Sequence, residues 1–316
     1  MKLIIMVPAF NEEASIAKVI REIPRKINGV EEVRILIMND GSQDETSRIA
    51  REAGADYIFE NNINRGLAYT FRKGLEESLR LGADIIVNID ADSQYDPNEI
   101  GALIKPIFSE NAGMVIGDRQ VRKLDHMKAI NKYGNVAGSW VLRRLTGANV
   151  IDASSGFRAF SRETAFALNI YFDHTYTHQT IIEAMNKKIK IAQIPIIFRR
   201  RESGESRLIK NIFTHIKTSL ANIIRTILVY KPLKILSVTG LVFVSMGVLL
   251  GLRFLYYYFF TIGAGKVQSL ILSAVFILFG IIIIVLGLLA DLIGINRRLN
   301  EEILSKIKKM DYEKRG

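Results

Sequence analysis

Two long stretches without a formal charge constrain this chain more than any other feature. Residues 235–252 form an 18-residue uncharged run, and residues 267–290 form a 24-residue one rich in Ile, Leu, Val and Phe. A membrane-spanning helix needs about 20 apolar residues at roughly 1.5 Å each, so both runs are long enough to cross a bilayer. A buried helical hairpin in a soluble domain is the competing reading, but it would seldom need so long an uncharged stretch. Gly263, Ala264, Gly265 and Lys266 leave room only for a tight connection, and Tyr256, Tyr257 and Tyr258 suit an aromatic belt at the interface. The expectation is a two-helix transmembrane hairpin over 233–292, with helices at about 235–260 and 267–290.

The net charge of +11 over 316 residues would suggest nucleic acid if it covered one folded face, but its distribution says otherwise. Residues 1–198 carry 25 basic and 25 acidic side chains, so the excess lies entirely in the C-terminal part and nucleic acid is not an expected partner. Arg225, Lys231 and Lys234 precede the first apolar run, and Arg297, Arg298, Lys306, Lys308 and Lys309 follow the second; only Arg253 and Lys266 lie near the connection. The positive-inside rule then puts both ends on the cytoplasmic side of the cell membrane, with 293–316 as a basic cytoplasmic tail. Residues 207–232 repeat apolar positions such as Ile209, Ile212, Phe213, Ile216 and Leu220 at helical spacing with Lys210 and Lys217 between them. That pattern suits either an amphipathic juxtamembrane helix on anionic headgroups or an ordinary core helix.

The chain has no cysteine, which excludes disulfide scaffolds, thiol nucleophiles and Cys-type zinc sites. His174 and His178 have the spacing of a helical metal pair, but no HExxH pattern accompanies them, and a surface or hydrogen-bonded role is the better expectation.

In the first 120 residues short apolar runs alternate with helical patterns. Candidate strands are 3–7, 33–38, 56–59, 85–89 and 114–117, and candidate helices are 13–23, 44–53, 66–81 and 97–108. Such alternation predicts an α/β fold with a mostly parallel sheet, whose ligands bind beyond the strand C-termini. Four polar loops fall there: 8–12, 39–44, 61–66 and 90–94. Taken singly, each has a structural explanation, with Asp44 as a helix cap and Gly41 as a turn residue. Neither a P-loop nor a GxGxxG motif follows the first strand, so an NTPase or dinucleotide site is not supported. Asp90-Ala91-Asp92 sets two carboxylates one residue apart at a strand end, where they can meet a hard divalent cation that bridges phosphates.

Pro8-Ala9-Phe10-Asn11-Glu12, Asn39-Asp40-Gly41-Ser42, Asn64-Arg65-Gly66 and Asp90-Ala91-Asp92-Ser93-Gln94 together resemble the family 2 glycosyltransferases of the GT-A fold. Asp152-Ala153-Ser154-Ser155-Gly156-Phe157-Arg158 and the stretch from Arg201 through Gly204 and Ser206 to Arg207 sharpen this to the polyprenyl-phosphate glycosyltransferases, the type similar to dolichyl-phosphate mannose synthase. The resemblance covers about residues 1–210 and makes 1–206 the expected catalytic domain. It implies inverting, metal-dependent transfer of a sugar from a UDP- or GDP-linked donor to dolichyl or undecaprenyl phosphate, with Mg²⁺ or Mn²⁺ as cofactor.

By the same resemblance, Pro8, Asn11, Glu12, Asn64 and Gly66 line the nucleotide pocket and Asp40 holds base or ribose. Asp90 and Asp92 meet metal and diphosphate, Ala91 between them adjoins the nucleotide-sugar, and Gln94 meets the sugar or the acceptor side. Arg119 contacts phosphate, although Asp118 replaces the serine of the family's Gly-Ser-Arg and sets a negative charge beside it. Lys128, Asn131, Arg201, Ser206 and Arg207 are expected at the acceptor phosphate, with Arg199 and Arg200 facing lipid. Asp152 orients a substrate, or else caps a helix or pairs with Arg158. The QxxRW motif of processive synthases is missing, since the one tryptophan is Trp140 in Gly-Ser-Trp. Another lipid or polysaccharide acceptor, or a membrane-anchored sugar-nucleotide sensor without turnover, are the alternatives. Glycines 240, 247, 251, 280 and 287 would serve helix packing within a chain or in a homo-oligomer.

Overall fold

The computed structural model describes residues 1–125, 127, 129–170, 176–200, 232–260 and 267–315. The chain divides into two compact units, Met1–Ser206 with Leu304–Gly316, and Arg207–Ile303. Among the described residues, seven strands form one sheet: β1 (Lys2–Ala9), β2 (Glu32–Asn39), β3 (Tyr57–Glu60), β4 (Ile85–Asn88), β5 (Met114–Asp118), β6 (Arg158–Ser161) and β7 (Ile191–Pro195). Their order across the sheet is β3-β2-β1-β4-β6-β5-β7.

The first four strands are the apolar runs of the sequence, mutually parallel, with Leu3 opposite both Val33 and Ile85. Near-continuous burial along β1 follows from cover on both faces, as parallel sheets require. On one face α1 (Ile16–Glu22) and α4 (Ile100–Ser109) set Ile16, Val19, Ile20, Leu103 and Ile104 against Leu3, Ile5, Val7, Ile35 and Val87. On the other lies α3 (Leu67–Arg80), where Gly74 lets the helix approach so closely that a Cβ there would collide with Met6. α2 (Thr46–Glu52) joins β2 to β3.

β6 breaks the parallel pattern. It runs antiparallel between β4 and β5, pairing Asn88 with Arg158 and Ile116 with Arg158. The residues just before β6 are thereby delivered to the C-terminal edge of the parallel strands. β7, parallel to β5, ends there too, with Asp118 opposite Pro195. α5 (Ala129–Thr146), α6 (Arg162–Ala167) and α7 (Tyr176–Asn186) complete the domain. Neither β6 nor β7 was expected from sequence: β6 is four residues long without a period, and β7 carries Gln193 amid its apolar residues.

α8 (Pro232–Phe260) and α9 (Val267–Arg315), the latter belonging to the second unit as far as Ile303, are long and apolar enough to cross a membrane. They pack through glycine: a Cβ at Gly240 would stand 2.6 Å from the Gly280 carbonyl oxygen, and one at Gly280 equally close to that of Gly240. Ser273 Oγ donates to the Gly247 carbonyl at 2.6 Å, and Phe243 stacks on Phe276. The small residues thus serve packing between helices of one chain. α9 does not stop near 290 but continues unbroken through the basic residues, which contain no proline to end it. The amphipathic stretch 207–231 lies outside the described residues.

Candidate active site

The loops past β1, β2 and β3 are laced together at the sheet edge. Asn11, at φ +53°, donates its N–H to Ser42 Oγ at 2.9 Å and accepts from Gln43 N–H at 2.8 Å; Glu12 N–H donates to Thr46 Oγ1 at 2.9 Å. Asp40 is buried, and both its oxygens are engaged: one accepts from Asn61 Nδ2 at 2.8 Å and Arg65 N–H at 2.9 Å, the other from Gly66 N–H at 2.8 Å. Asp40 therefore shapes the Asn64–Gly66 turn from beneath rather than offering its carboxylate outward. Gly41, at φ +72°, closes the junction, since a Cβ there would stand 2.7 Å from the Ile63 carbonyl carbon. Pro8 is buried within β1, and Asn64 is exposed.

Two further loops meet beside these. Ile89 N–H donates to the Met6 carbonyl, carrying the β4 alignment forward to Asp90 and Asp92. Asp92 accepts from Gln94 N–H at 3.2 Å, and Ser93 takes a left-handed φ of +61°. The loop before β6 comes against this turn, so that a Cβ on Gly156 would sit 2.9 Å from Asp90 Oδ2 and 3.0 Å from the Tyr176 hydroxyl. Asn88 donates to the Gly156 carbonyl at 2.8 Å, and Tyr95 Oη accepts from Gly156 N–H at 2.9 Å. Left-handed φ values at Asn11, Ser93 and Gln120 turn the backbone in three loops of this edge, and those at Asn111 and Lys188 do so in the loops before β5 and β7.

The third component is a buried ion pair. Arg119 donates to both Asp152 oxygens, at 2.7 and 2.9 Å, and to Ser154 Oγ at 2.8 Å; Asn135 on α5 donates to Asp152 at 3.2 Å and to Ser154. The guanidinium also lies over the Phe198 ring, 5.2 Å from its centroid. Burial raises the Asp152 carboxyl, but Arg119 and Asn135 outweigh it and hold the group below the ordinary carboxylate value. Burial likewise works against the Arg119 cation, while the carboxylates of Asp152 and Asp90 keep it firmly charged. Burial pushes Tyr95 up to about 12, so its hydroxyl stays protonated.

Several expectations change here. Asp152 pairs with Arg119, not Arg158. The fully buried Arg158 donates to the carbonyls of Ser155, Thr177 and Ala153 and to Thr180 Oγ1, which fastens the loop to α7. Asp118 accepts from Gln120 N–H at 2.9 Å and so helps turn the chain after Arg119. Arg199 is bound to Glu22 at 2.6 Å and Asp96 at 2.8 Å, which ties it to the catalytic unit rather than to lipid. His178 is held near pKa 4 by burial and by Arg158; His174, Lys128, Arg201, Ser206 and Arg207 lie outside the described residues. Asn131 lies one turn before Asn135 on α5. Asn88, Tyr95, Asn135 and Tyr176 were not singled out from sequence: Asn88 and Tyr95 flank the Asp90–Gln94 turn, but their partners Gly156 and Tyr176, like the Asp152 that Asn135 meets, are far along the chain.

The divalent cation implied by the resemblance finds a suitable donor set. Asp90 and Asp92 offer hard oxygens, and the missing Cβ of Gly156 keeps space at Asp90. Among the described residues no cluster of three or more His, Asp or Glu forms a protein cage. One or two carboxylates suit a cation that takes its remaining ligands from phosphate and water.

A family model described as glycosyl transferase family 2 matches residues 4–166. UDP-N-acetylglucosamine–dolichyl-phosphate N-acetylglucosaminyltransferase of Methanococcus voltae is 30% identical over 213 residues, covering 61% of this chain and 83% of the relative. The undecaprenyl-phosphate mannosyltransferase of Micrococcus luteus is 27% identical over 218 residues, covering 66% and 88%. Glucosyl-3-phosphoglycerate synthase of Mycobacterium tuberculosis, solved with Mn²⁺, UDP and glucosyl-3-phosphoglycerate, superposes at a TM-score of 0.52 with 22% identity, over 72% of this chain and 78% of that one. The fold is GT-A, and the chain belongs to glycosyl transferase family 2.

Proposed function

We propose that this glycosyltransferase moves a hexose, with inversion, from a UDP- or GDP-linked donor to a polyprenyl phosphate at the cytoplasmic face of the membrane. The observation that carries this is the meeting of the Asp90–Asp92 turn with the Arg119–Asp152 pair at one sheet edge, in a chain that also has two helices of spanning length. Relatives named for dolichyl- and undecaprenyl-phosphate transfer support the acceptor class, and a neighbour solved with UDP and Mn²⁺ supports the donor class and cofactor.

Asp90 and Asp92 would hold Mg²⁺ or Mn²⁺, which when bound neutralises charge on the departing diphosphate. The loops carrying Asn11, Glu12, Asn64 and Gly66 enclose the nucleotide, and Gln94 faces the sugar. Arg119 adds a fixed positive charge, effective because burial limits water screening. A polyprenyl phosphate is already anionic and needs no strong general base. Asp152, kept ionised, therefore orients Arg119 and Asn135 rather than taking a proton. Asn131, with Lys128, Arg201, Ser206 and Arg207, would hold the acceptor phosphate, a task suited to the paired donors of arginine.

The test incubates the protein in proteoliposomes with UDP- and GDP-hexoses and short polyprenyl phosphates, with and without EDTA, and identifies products by mass spectrometry. Transfer to polyprenyl phosphate is expected, lost in EDTA and reduced about 100-fold or more by Asp92→Ala. Full activity in EDTA, transfer only to another lipid, or donor binding without turnover for every acceptor would each overturn the proposal.

A further inference from the structure

α5 has two faces with different tasks. Inward, Asn135 reaches Asp152 and Ser154, Ser139 Oγ accepts from Ala153 N–H at 3.1 Å, and Leu142 is buried. Outward, Tyr133 is 76% exposed and Trp140 59% exposed, with Ala137 between them and Arg144 beyond. Positions 133, 137, 140 and 144 make one stripe at helical spacing. A single exposed aromatic would need no explanation. Here the two largest exposed aromatics of the described catalytic unit share one helix face. The same helix carries Lys132, Arg143 and Arg144 and no acidic residue.

We propose that this face of α5 docks on the anionic lipid surface, with Tyr133 and Trp140 in the headgroup layer and the three cations toward lipid phosphates. Tyr and Trp fit that layer because one end of each ring system is apolar and the other polar. A basic, acid-free helix complements anionic headgroups, and such helices settle roughly 5–10 Å into the boundary region. The docking rests on the membrane-bound state of the proposed function and not on the identity of the acceptor. A helix is about 10–12 Å across, so docking sets Asn135 and its partner Asp152 roughly one helix width from the lipid surface. α5 would then be the element that registers the active site against the bilayer.

Trp140 is the only tryptophan in the chain, so it reports on itself. The full-length protein is reconstituted in phosphatidylglycerol-containing vesicles with lipids brominated at shallow or deep acyl positions, and its emission is measured alongside quenching by aqueous iodide. Shallow bromines are expected to lower Trp140 emission by about twofold and deep ones less, in keeping with interfacial depth. Replacing Lys132, Arg143 and Arg144 together with Gln should restore most of that emission. Strong iodide quenching with no effect of bromolipid overturns the proposal. Protection from both quenchers also overturns it, since another protein segment or a second copy then covers the face. Tyr133→Trp in a Trp140→Phe background gives a second reporter if either charge or aromatic variants fold poorly. Quenching by bromolipid without transferase activity would sink the acceptor assignment alone, and transfer with a water-exposed Trp140 would sink the docking alone.

Discussion

The Arg119–Asp152 pair is one buried interaction on which stability depends and to which the proposed function gives a chemical role. Asp152 is 1% exposed and would be costly as a lone anion, so its carboxylate depends on the guanidinium. Removing one member of such a pair costs about 3–5 kcal/mol, the loss expected for Arg119→Ala in detergent-solubilised protein unfolded by heat or denaturant. The pH dependence has a definite sign. In the wild type the folded carboxyl lies below its unfolded value, so its contribution is complete above about pH 4 and fades as pH falls through the folded value. In Arg119→Ala only neutral donors such as Asn135 still oppose burial, so the carboxyl rises and acidification favours the folded state. The difference in melting temperature between the two proteins should therefore shrink from pH 7 toward pH 4; a constant difference would mean that Asp152 is not held by Arg119. Asp152 stood out in the sequence as a candidate, but its partner did not. A carboxylate six residues from Arg158 and 33 from Arg119 gives no hint that the distant arginine wins, and the antiparallel strand that decides it is too short to read.

Among the elements, those with a periodic apolar signal were legible. Four parallel strands and the helices between them appear where the runs stand, because both faces of the sheet are covered and the strands can be apolar throughout. Predicted helix starts were early by about two to three residues at α1 and α2, since Asn11, Glu12 and Asp44 are spent on loop hydrogen bonds before the first helical turn. The loop edges are held as tightly as the strands. Gly41→Ala would combine a left-handed φ with a 2.7 Å approach to backbone, and neither can relax by a side-chain rotation. Such strain costs on the order of 1–3 kcal/mol. The 61–66 turn would move away from 39–44, so UDP or GDP affinity measured by titration calorimetry should fall, while a control at the open Gly29 should leave it unchanged. Equal affinity in Gly41→Ala would separate this junction from the nucleotide pocket.

Across the whole molecule, charge separates the parts. The first 198 residues are neutral, and the excess of basic residues flanks the two long uncharged runs at their outer ends. The proposed function sets the catalytic unit on the cytoplasmic face, the side the positive-inside rule predicts for both ends of the hairpin. Trypsin added outside right-side-out vesicles should leave the exposed Arg122 and Lys123 intact and reach at most Lys266; cleavage at 122–123 from outside would reverse the topology. The position of β6 also has a consequence for synthesis. β4 is an apolar strand whose open side is filled only by β6, which pairs at the same time with β5. A nascent chain therefore exposes a bare strand edge until Ser161 has left the ribosome, for several seconds at about 5–20 residues per second. Unpaired edges of this kind template association with other chains. Ribosome stalling between β5 and β6 is where this protein is most open to aggregation, and the strand that completes its active site is also the one that closes that edge.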